Sequence, residues 1–186
     1  VKVAISGDGA DELFGSYLSH RLAQPLANFP RYLETGDPSV LRPFQDRPEY
    51  LSHLLQVGGD QASAATVAGQ PSDWLWRSKL VVLNEAEKAL LYTSEVAAAV
   101  SGCNTGDHFR QEFARVKTSD PLNRILEVEF RGIFPDQVLC YVDRLSMAHS
   151  LEVRSPYLDT DLVTFVAGLP GRLKIKEGET KHLLKL

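Results

Sequence analysis

The chain has 186 residues, with 20 Lys+Arg against 24 Asp+Glu and a formal net charge of −4; 44% of residues are hydrophobic and 24% charged. This ordinary globular composition suits about one domain with a sizeable core. It argues against a nucleic-acid binder held by a basic surplus, and no apolar run nears the roughly 18–20 residues of a membrane span. Cys103 and Cys140 lack CxxC spacing and a neighbouring His pattern. A zinc site or disulfide scaffold is therefore not expected, and a reducing cytoplasm is. The chain opens directly on VKVAIS, without initiator Met or signal peptide, and closes on KHLLKL inside a helical pattern. Both ends predict a piece of a longer protein.

Val1 to Ile5 is β-branched and apolar apart from Lys2, which predicts a mostly buried strand of a parallel sheet. The strand runs into SGDGADELF, a strand–turn–helix pattern whose helical spacing continues through Leu18 and Leu22. Five prolines between residues 25 and 50 predict short helices broken by turns. Residues 57–73, small and polar, predict a mobile loop.

The second half reads as helical. A helix is expected from Asn84 to Leu91, and a second capped by Thr93 or Ser94 and ending near Val100. Ser119-Asp120-Pro121 is a cap followed by Pro at the first helical position. It opens a helix with Leu122, Ile125, Leu126 and Phe130 at core spacing. Pro135-Asp136 opens another, with Val138, Tyr141, Val142, Leu145 and Ala148 on one stripe. A short helix from Asp159 to Ala167 is stopped by Gly168 and Pro170. No internal repeat or long heptad run occurs.

Three constellations carry chemistry. In the first, Asp8, Asp11 and Glu12 stand at i, i+3 and i+4 around a helix start, beside the glycine turn. Backbone N–H groups and carboxylates would then share one small site, the mixture that phosphate and Mg²⁺ chemistry requires. The plainer reading is a helix start, since acids favour any first turn and glycines any tight turn. The pattern is not an EF-hand loop, GxGxxG or a Walker A loop.

The second is DRLSMAHSLEVRSPYLD, residues 143–159. Asp143 and Arg144 fall on a helix. Before Pro156 the chain should be extended, with Glu152 and Arg154 paired on one side. The two readings are a salt-bridge network bracing a loop and a wall of an anionic-substrate pocket. The third is Gly178-Glu179-Thr180-Lys181. Thr180 is the expected N-cap, and Lys181 in the first turn would oppose the helix dipole unless an anion such as phosphate lies nearby. A solvated surface lysine is the plainer reading.

Together the three resemble the synthetase domain of glutamine-hydrolysing (class B) asparagine synthetases. SGDGADELFGSY is similar to the family's SGDGADELFGGY, with Ser16 in place of the usual Gly. Asp143 to Asp159 resembles DRxSMAHSLEVRxPxLD, with Ser155 where Val is frequent. Leu173 to Lys185 resembles LKIxxGETKxLLK. The resemblance spans the chain and is weakest between about residues 25 and 75.

The resemblance implies an α/β parent domain, doubly wound and adenine-nucleotide α-hydrolase-like. Residues 1–186 would be the second half of this ATP-pyrophosphatase-type domain, mostly helical with about one N-terminal strand. It implies a reaction in which the aspartate side-chain carboxylate attacks the α-phosphorus of ATP, giving β-aspartyl-AMP and pyrophosphate. Ammonia from glutamine then displaces AMP. The implied cofactors and substrates are ATP, Mg²⁺, aspartate and glutamine-derived ammonia.

Position by position, Asp11 resembles the Mg²⁺ carboxylate, and Asp8 an acid near the acyl-adenylate that takes a proton from the incoming ammonia. The Gly7 amide resembles an oxyanion contact, and Lys181 the lysine that stabilises the adenylation transition state. Ser6, Gly7, Gly9 and Lys181 would contact nucleotide. Glu12, Tyr17, Asp143, Arg144, Glu152 and Arg154 would frame the pocket, with a part in holding aspartate.

The family's SGGxDS pyrophosphate loop and the glutaminase's N-terminal Cys have no counterpart here. The chain by itself is therefore expected not to synthesise asparagine. A half-domain would also expose surface, favouring self-association into a homo-oligomer or partial disorder. Two other readings keep the scaffold. One is a relative that adenylates a different carboxylate, such as a β-lactam synthetase or tailoring enzyme; the acid at Asp8 favours asparagine synthesis over it. The other is a non-catalytic binding module, which loss of Asp11 or Lys181 would have favoured.

Overall fold

The computed structural model describes residues 1–17, 20–21, 23, 35–37 and 85–186. The proline-rich segments 25–34 and 38–50 and the expected loop at 57–73 lie outside them, as do Leu18 and Leu22. The chain divides into two compact units, Val1–Arg21 with Thr118–Leu186, and Leu22–Lys117. The described residues are mostly helical, with one two-stranded parallel sheet. No helix among them is long and apolar enough to cross a membrane.

In the first unit, strand β1 (Val3–Ile5) leads through a turn into helix α1 (Ala10–Phe14). β1 pairs in parallel with β2 (Glu152–Arg154), in the register Val3↔Glu152, Ala4↔Val153 and Ile5↔Arg154. The extended reading of LEVRS is therefore a second strand beside the expected one. Its alternation is as expected, with Leu151, Val153 and Ser155 half-buried and Glu152 and Arg154 exposed. The burial expected of β1 does not hold: Val3 and Ile5 are exposed. A parallel strand is normally covered on both faces, and a two-stranded sheet supplies no such cover.

Helix α1 is shorter than its spacing predicted. It stops at Phe14 because Gly15 takes φ 73, outside the helical region. A Cβ there would also come within 2.9 Å of Ile175 Cδ1. Leu13 and Phe14 are buried with Val166, and Phe130, Tyr157, Leu162, Val163 and Leu183 pack around them. Phe14 meets Tyr157 edge-on at 6.2 Å.

The second unit's described elements are α2 (Glu85–Leu91), α3 (Ser94–Ala99) and α4 (Thr105–Arg115). Thr93 caps α3 as expected, its hydroxyl accepting from Val96 N–H. Asn104 caps α4 by accepting from Gly106 and Asp107 N–H. Lys88 of α2 donates to Thr105 at 2.5 Å. Leu90 and Leu91 are exposed.

Back in the first unit, α5 (Pro121–Arg131) starts as its sequence predicts. Asp120 accepts from Leu122 and Asn123 N–H at 3.0 Å each, and Pro121 occupies the first turn, where no N–H is needed. Leu122, Ile125 and Leu126 are buried. The next element is corrected. Phe134–Leu139 forms a π-helical turn, and a regular helix, α6 (Cys140–Ala148), follows. The apolar stripe expected to face the core is largely open: Tyr141, Leu145 and Ala148 are exposed, and Val138 and Val142 only half-buried. Helical spacing reports that residues share a face, not that a partner covers it.

The 3₁₀ turn Pro156–Leu158 leads into α7 (Thr160–Ala167), capped by Asp159, which accepts from Asp161 and Leu162 N–H. Then come α8 (Gly171–Lys174) and a terminal 3₁₀ turn, His182–Lys185. Thr180 does not cap that turn. Lys181 precedes it in the left-handed region at φ 51.

Candidate functional site

The turn after β1 is held from two sides. Ser6 N–H donates to Arg154 O at 2.9 Å, continuing the parallel ladder one residue beyond β1. Ser155 Oγ donates to the backbone oxygen of Asp8. Gly9 takes φ 91, and a Cβ there would lie 3.0 Å from Leu158 Cδ2, so glycine suits both the backbone and the packing. Gly7 is exposed, and a Cβ on it would meet nothing within 4 Å. Its face of the turn is open to a ligand. Asp8 is half-buried, and its Oδ2 accepts from Ser6 Oγ at 2.7 Å.

One turn on, Asp11 meets the far end of the chain. Lys181 Nζ lies 2.7 Å from Asp11 Oδ1, and about a third of each side chain is exposed. The backbone sets this pairing: Lys181 N–H donates to Gly15 O at 3.1 Å, and Gly15 N–H to Asp11 O at 2.8 Å. Left-handed backbone at Lys181 is disfavoured for a residue with a Cβ, and the Gly15 bond together with the ion pair holds it there. Ser16 Oγ also donates to Asp11 Oδ1. Burial would raise the Asp11 carboxyl pKa, but the Lys181 and Ser16 bonds outweigh burial and hold it below its usual range.

Glu12 faces the interior and is 5% exposed. Tyr17 O–H donates to its Oε1 at 2.9 Å. Burial pushes the Glu12 carboxyl up, and burial together with Glu12 pushes the Tyr17 phenol well above its usual range. Both bind the motif together internally.

Glu152 and Arg154 pair as their spacing predicts, Arg154 Nε to Glu152 Oε1 at 2.7 Å. Both are exposed, and it is the Arg154 backbone that reaches Ser6. Asp143 and Arg144 lie exposed on α6, with no side-chain partner among the described residues. The structure thus joins the first and third constellations through side chains, and the second to the first through the sheet and Ser155.

Sequence reasoning missed a buried pair behind the site. His20 is 1% exposed, and its Nε2 lies 2.6 Å from Glu129 Oε2. His20 Nδ1 accepts from the N–H of Ser16 at 3.1 Å, so Nε2 carries the ring proton and donates it to Glu129. One signal was available: Glu129 sits three residues after Leu126 and four after Ile125, a charge on the buried stripe of α5. Lys174 was missed too. It is 2% exposed and donates to Asn123 Oδ1 at 2.7 Å, and burial pulls its ammonium pKa down to about 8.

Among the described residues, no group of three or more His, Cys, Asp or Glu could hold a metal ion by itself. One carboxylate fits a Mg²⁺ ion that keeps its waters and takes further oxygens from substrate phosphates. Asp11 meets that requirement, because Lys181 and Ser16 both bond Oδ1 and leave Oδ2 without a partner among the described residues.

The profile described as "Asparagine synthase" matches residues 1–186. Asparagine synthetase (glutamine-hydrolyzing) 1 of Bacillus subtilis (strain 168) is 27% identical over 192 residues, which cover 100% of this chain and 27% of that protein. A protein of Mycobacterium tuberculosis (strain H37Rv), provisionally named as an asparagine synthetase (glutamine-hydrolyzing), is 27% identical over 198 residues, covering 100% of this chain and 26% of its own length. The chain thus spans only about a quarter of the length of these curated relatives. No solved structure matches it significantly. The profile match runs the full length of the chain and takes in all three motifs, including the two that meet at Asp11 and Lys181: this chain belongs to the asparagine synthase family.

Proposed function

We propose that the chain is the second half of the synthetase domain of an ATP-dependent amidoligase. In this reading the enzyme adenylates the aspartate side-chain carboxylate and transfers glutamine-derived ammonia to it, yielding asparagine, AMP and pyrophosphate. The observation that carries it is the 2.7 Å approach of Lys181 to Asp11. A lone lysine or a lone acidic turn has an ordinary structural explanation. A lysine and a carboxylate drawn together beside an open glycine turn form a site for a polyanion and its counter-ion.

Each residue then has a task. Lys181 swings from Asp11 to the phosphates and offsets the charge that grows as pyrophosphate leaves. The exposed Gly7 amide donates to the acyl oxygen as ammonia adds. Asp8, held by Ser6, accepts the proton that the ammonium adduct sheds. Ser6 and Gly9 shape the turn against the nucleotide. Glu12, Tyr17, Glu152 and Arg154 frame the pocket, and Asp143 and Arg144 belong to its outer edge. Mg²⁺ bound at Asp11 would neutralise phosphate charge. A reducing, cytoplasmic setting belongs to this reading.

The test uses the full-length protein that carries this chain, with ATP, Mg²⁺, aspartate and glutamine, assayed for AMP and asparagine. Equal amounts of both, lost in K181M without loss of fold, support the reading. AMP formed with another carboxylate and not with aspartate overturns the substrate assignment. Absence of AMP with every carboxylate overturns the ligase. The 186-residue chain by itself is expected to release no aspartate-dependent pyrophosphate.

A further inference from the structure

Ser16 stands between the acid at the site and a buried polar pair. Its hydroxyl donates to Asp11 Oδ1, the oxygen that also takes the Lys181 ammonium. Its backbone N–H donates to His20 Nδ1 at 3.1 Å, and the N–H of Tyr17 approaches the same nitrogen at 3.4 Å. The far side of the His20 ring is anchored to Glu129 on α5 at 2.6 Å. A line of contacts therefore runs from Glu129 through His20 and Ser16 to Asp11 and Lys181.

The cost of this arrangement says where its use lies. A buried imidazole and a buried carboxylate are each unfavourable unless fully paired. Here they pair with one another, and the second ring nitrogen is turned onto the backbone just after α1. A serine side chain can rotate among three staggered wells. With its N–H fixed on His20, the Ser16 Cα–Cβ direction is set, and the hydroxyl rests in the well that reaches Asp11. The Ser16 hydroxyl on Oδ1 then restrains the rotation of the Asp11 carboxylate about its own χ angles, and it still does so when Lys181 turns to the phosphates.

We propose that Ser16 is a positioning residue which, set by the His20–Glu129 pair, orients Asp11 so that its Oδ2 is offered to a divalent cation. The proposal rests on the reading of Asp11 given above. It places the sequence's departure from glycine at residue 16 inside the site. Outer contacts of this kind commonly change metal affinity by about 10–100-fold when removed.

The experiment uses the full-length protein and its S16A and S16T variants. Mn²⁺ binding in the presence of a non-hydrolysable ATP analogue is followed by water proton relaxation. The Mg²⁺ dependence of aspartate-driven pyrophosphate release is measured alongside. S16A is expected to weaken Mn²⁺ binding about tenfold. It should raise the half-saturating Mg²⁺ by the same factor and leave kcat at saturating Mg²⁺ and Tm near wild type. S16T, which keeps the hydroxyl, should restore both metal readouts. Wild-type metal affinity in S16A overturns the proposal. So does a loss that S16T fails to restore or that follows a fall in Tm, since Ser16 would then be merely structural. If no pyrophosphate is released by any form but the Mn²⁺ shift and its rescue appear, the positioning role stands and the ligase reading fails.

Discussion

The ammonium of Lys181 lies 2.7 Å from Asp11 Oδ1 although the two residues belong to opposite ends of the chain. Each side chain is about one-third exposed, so the pair contributes little to stability, under about 1 kcal/mol. In the proposed reading its importance is chemical. D11N and K181M should each abolish AMP formation in the full-length protein while moving Tm by only a degree or two. A shared large drop in Tm would make the pair structural.

The same pair has a pH signature. The Lys181 ammonium and the Ser16 hydroxyl hold the folded-state pKa of Asp11 below its ordinary 3.8. Its stabilising contribution is therefore present above 3.8 and is lost as pH falls through the folded value. Urea midpoints of wild type and D11N, taken from pH 7 downward, should differ by a small constant amount and converge only below about pH 4. A gap that widens on acidification would contradict the assignment.

Lys174 titrates with the opposite consequence. Its folded pKa of about 8 lies below the ordinary 10.5. Between those values the unfolded chain holds a proton that the folded chain has released, so stability rises with pH across that window. The rise should be on the order of 3 kcal/mol, and K174M should remove it. The check is denaturant unfolding of both proteins at pH 7, 9 and 10.5.

Two glycines in the same turn should respond differently to alanine. Gly9 has φ 91 and would press a Cβ to 3.0 Å from Leu158, so G9A should cost about 2 kcal/mol or more. Gly7 has open space and no positive φ. G7A should leave Tm unchanged and act only on turnover. Thermal unfolding of the two variants decides it.

Asp120 accepts three backbone N–H groups, two from the start of α5 and one from Gly171 at 2.8 Å. D120A removes a cap and a link between α5 and α8 together. It should cost about 2 kcal/mol, the upper end for a cap alone. Chemical denaturation measures it, and a loss under 0.5 kcal/mol would show that water replaces the carboxylate there.

Local signals in the sequence translated well. The Asp120-Pro121 start of α5, the Thr93 cap of α3 and the stretch of α7 between Asp159 and Gly168 all sit where the local sequence places them. These depend on neighbours two or three residues away. What depended on distant chain did not translate. The exposure of Ile5, Tyr141 and Leu145 is decided by what covers them, and spacing is silent on cover. The left-handed backbone of Lys181 follows from its bond to Gly15 O, a partner at the other end of the sequence. His20 could not be paired with Glu129 from a pattern, although a glutamate on an apolar stripe was a visible anomaly.

The parallel pairing of β1 with β2, and the ion pair beyond it, have a consequence for biosynthesis. The first unit is discontinuous: its opening segment, Val1–Arg21, must wait for Thr118–Leu186. On a ribosome the α1 turn emerges before its sheet partner has been made. The ladder closes only after Arg154 is free, and Asp11 is neutralised only after Lys181 has left the exit tunnel. Such long-range closure is slow compared with helix formation. The site should therefore be ready only once Lys181 has emerged, and nascent chains that stop short of Lys181 should hold helices without a charge-balanced site.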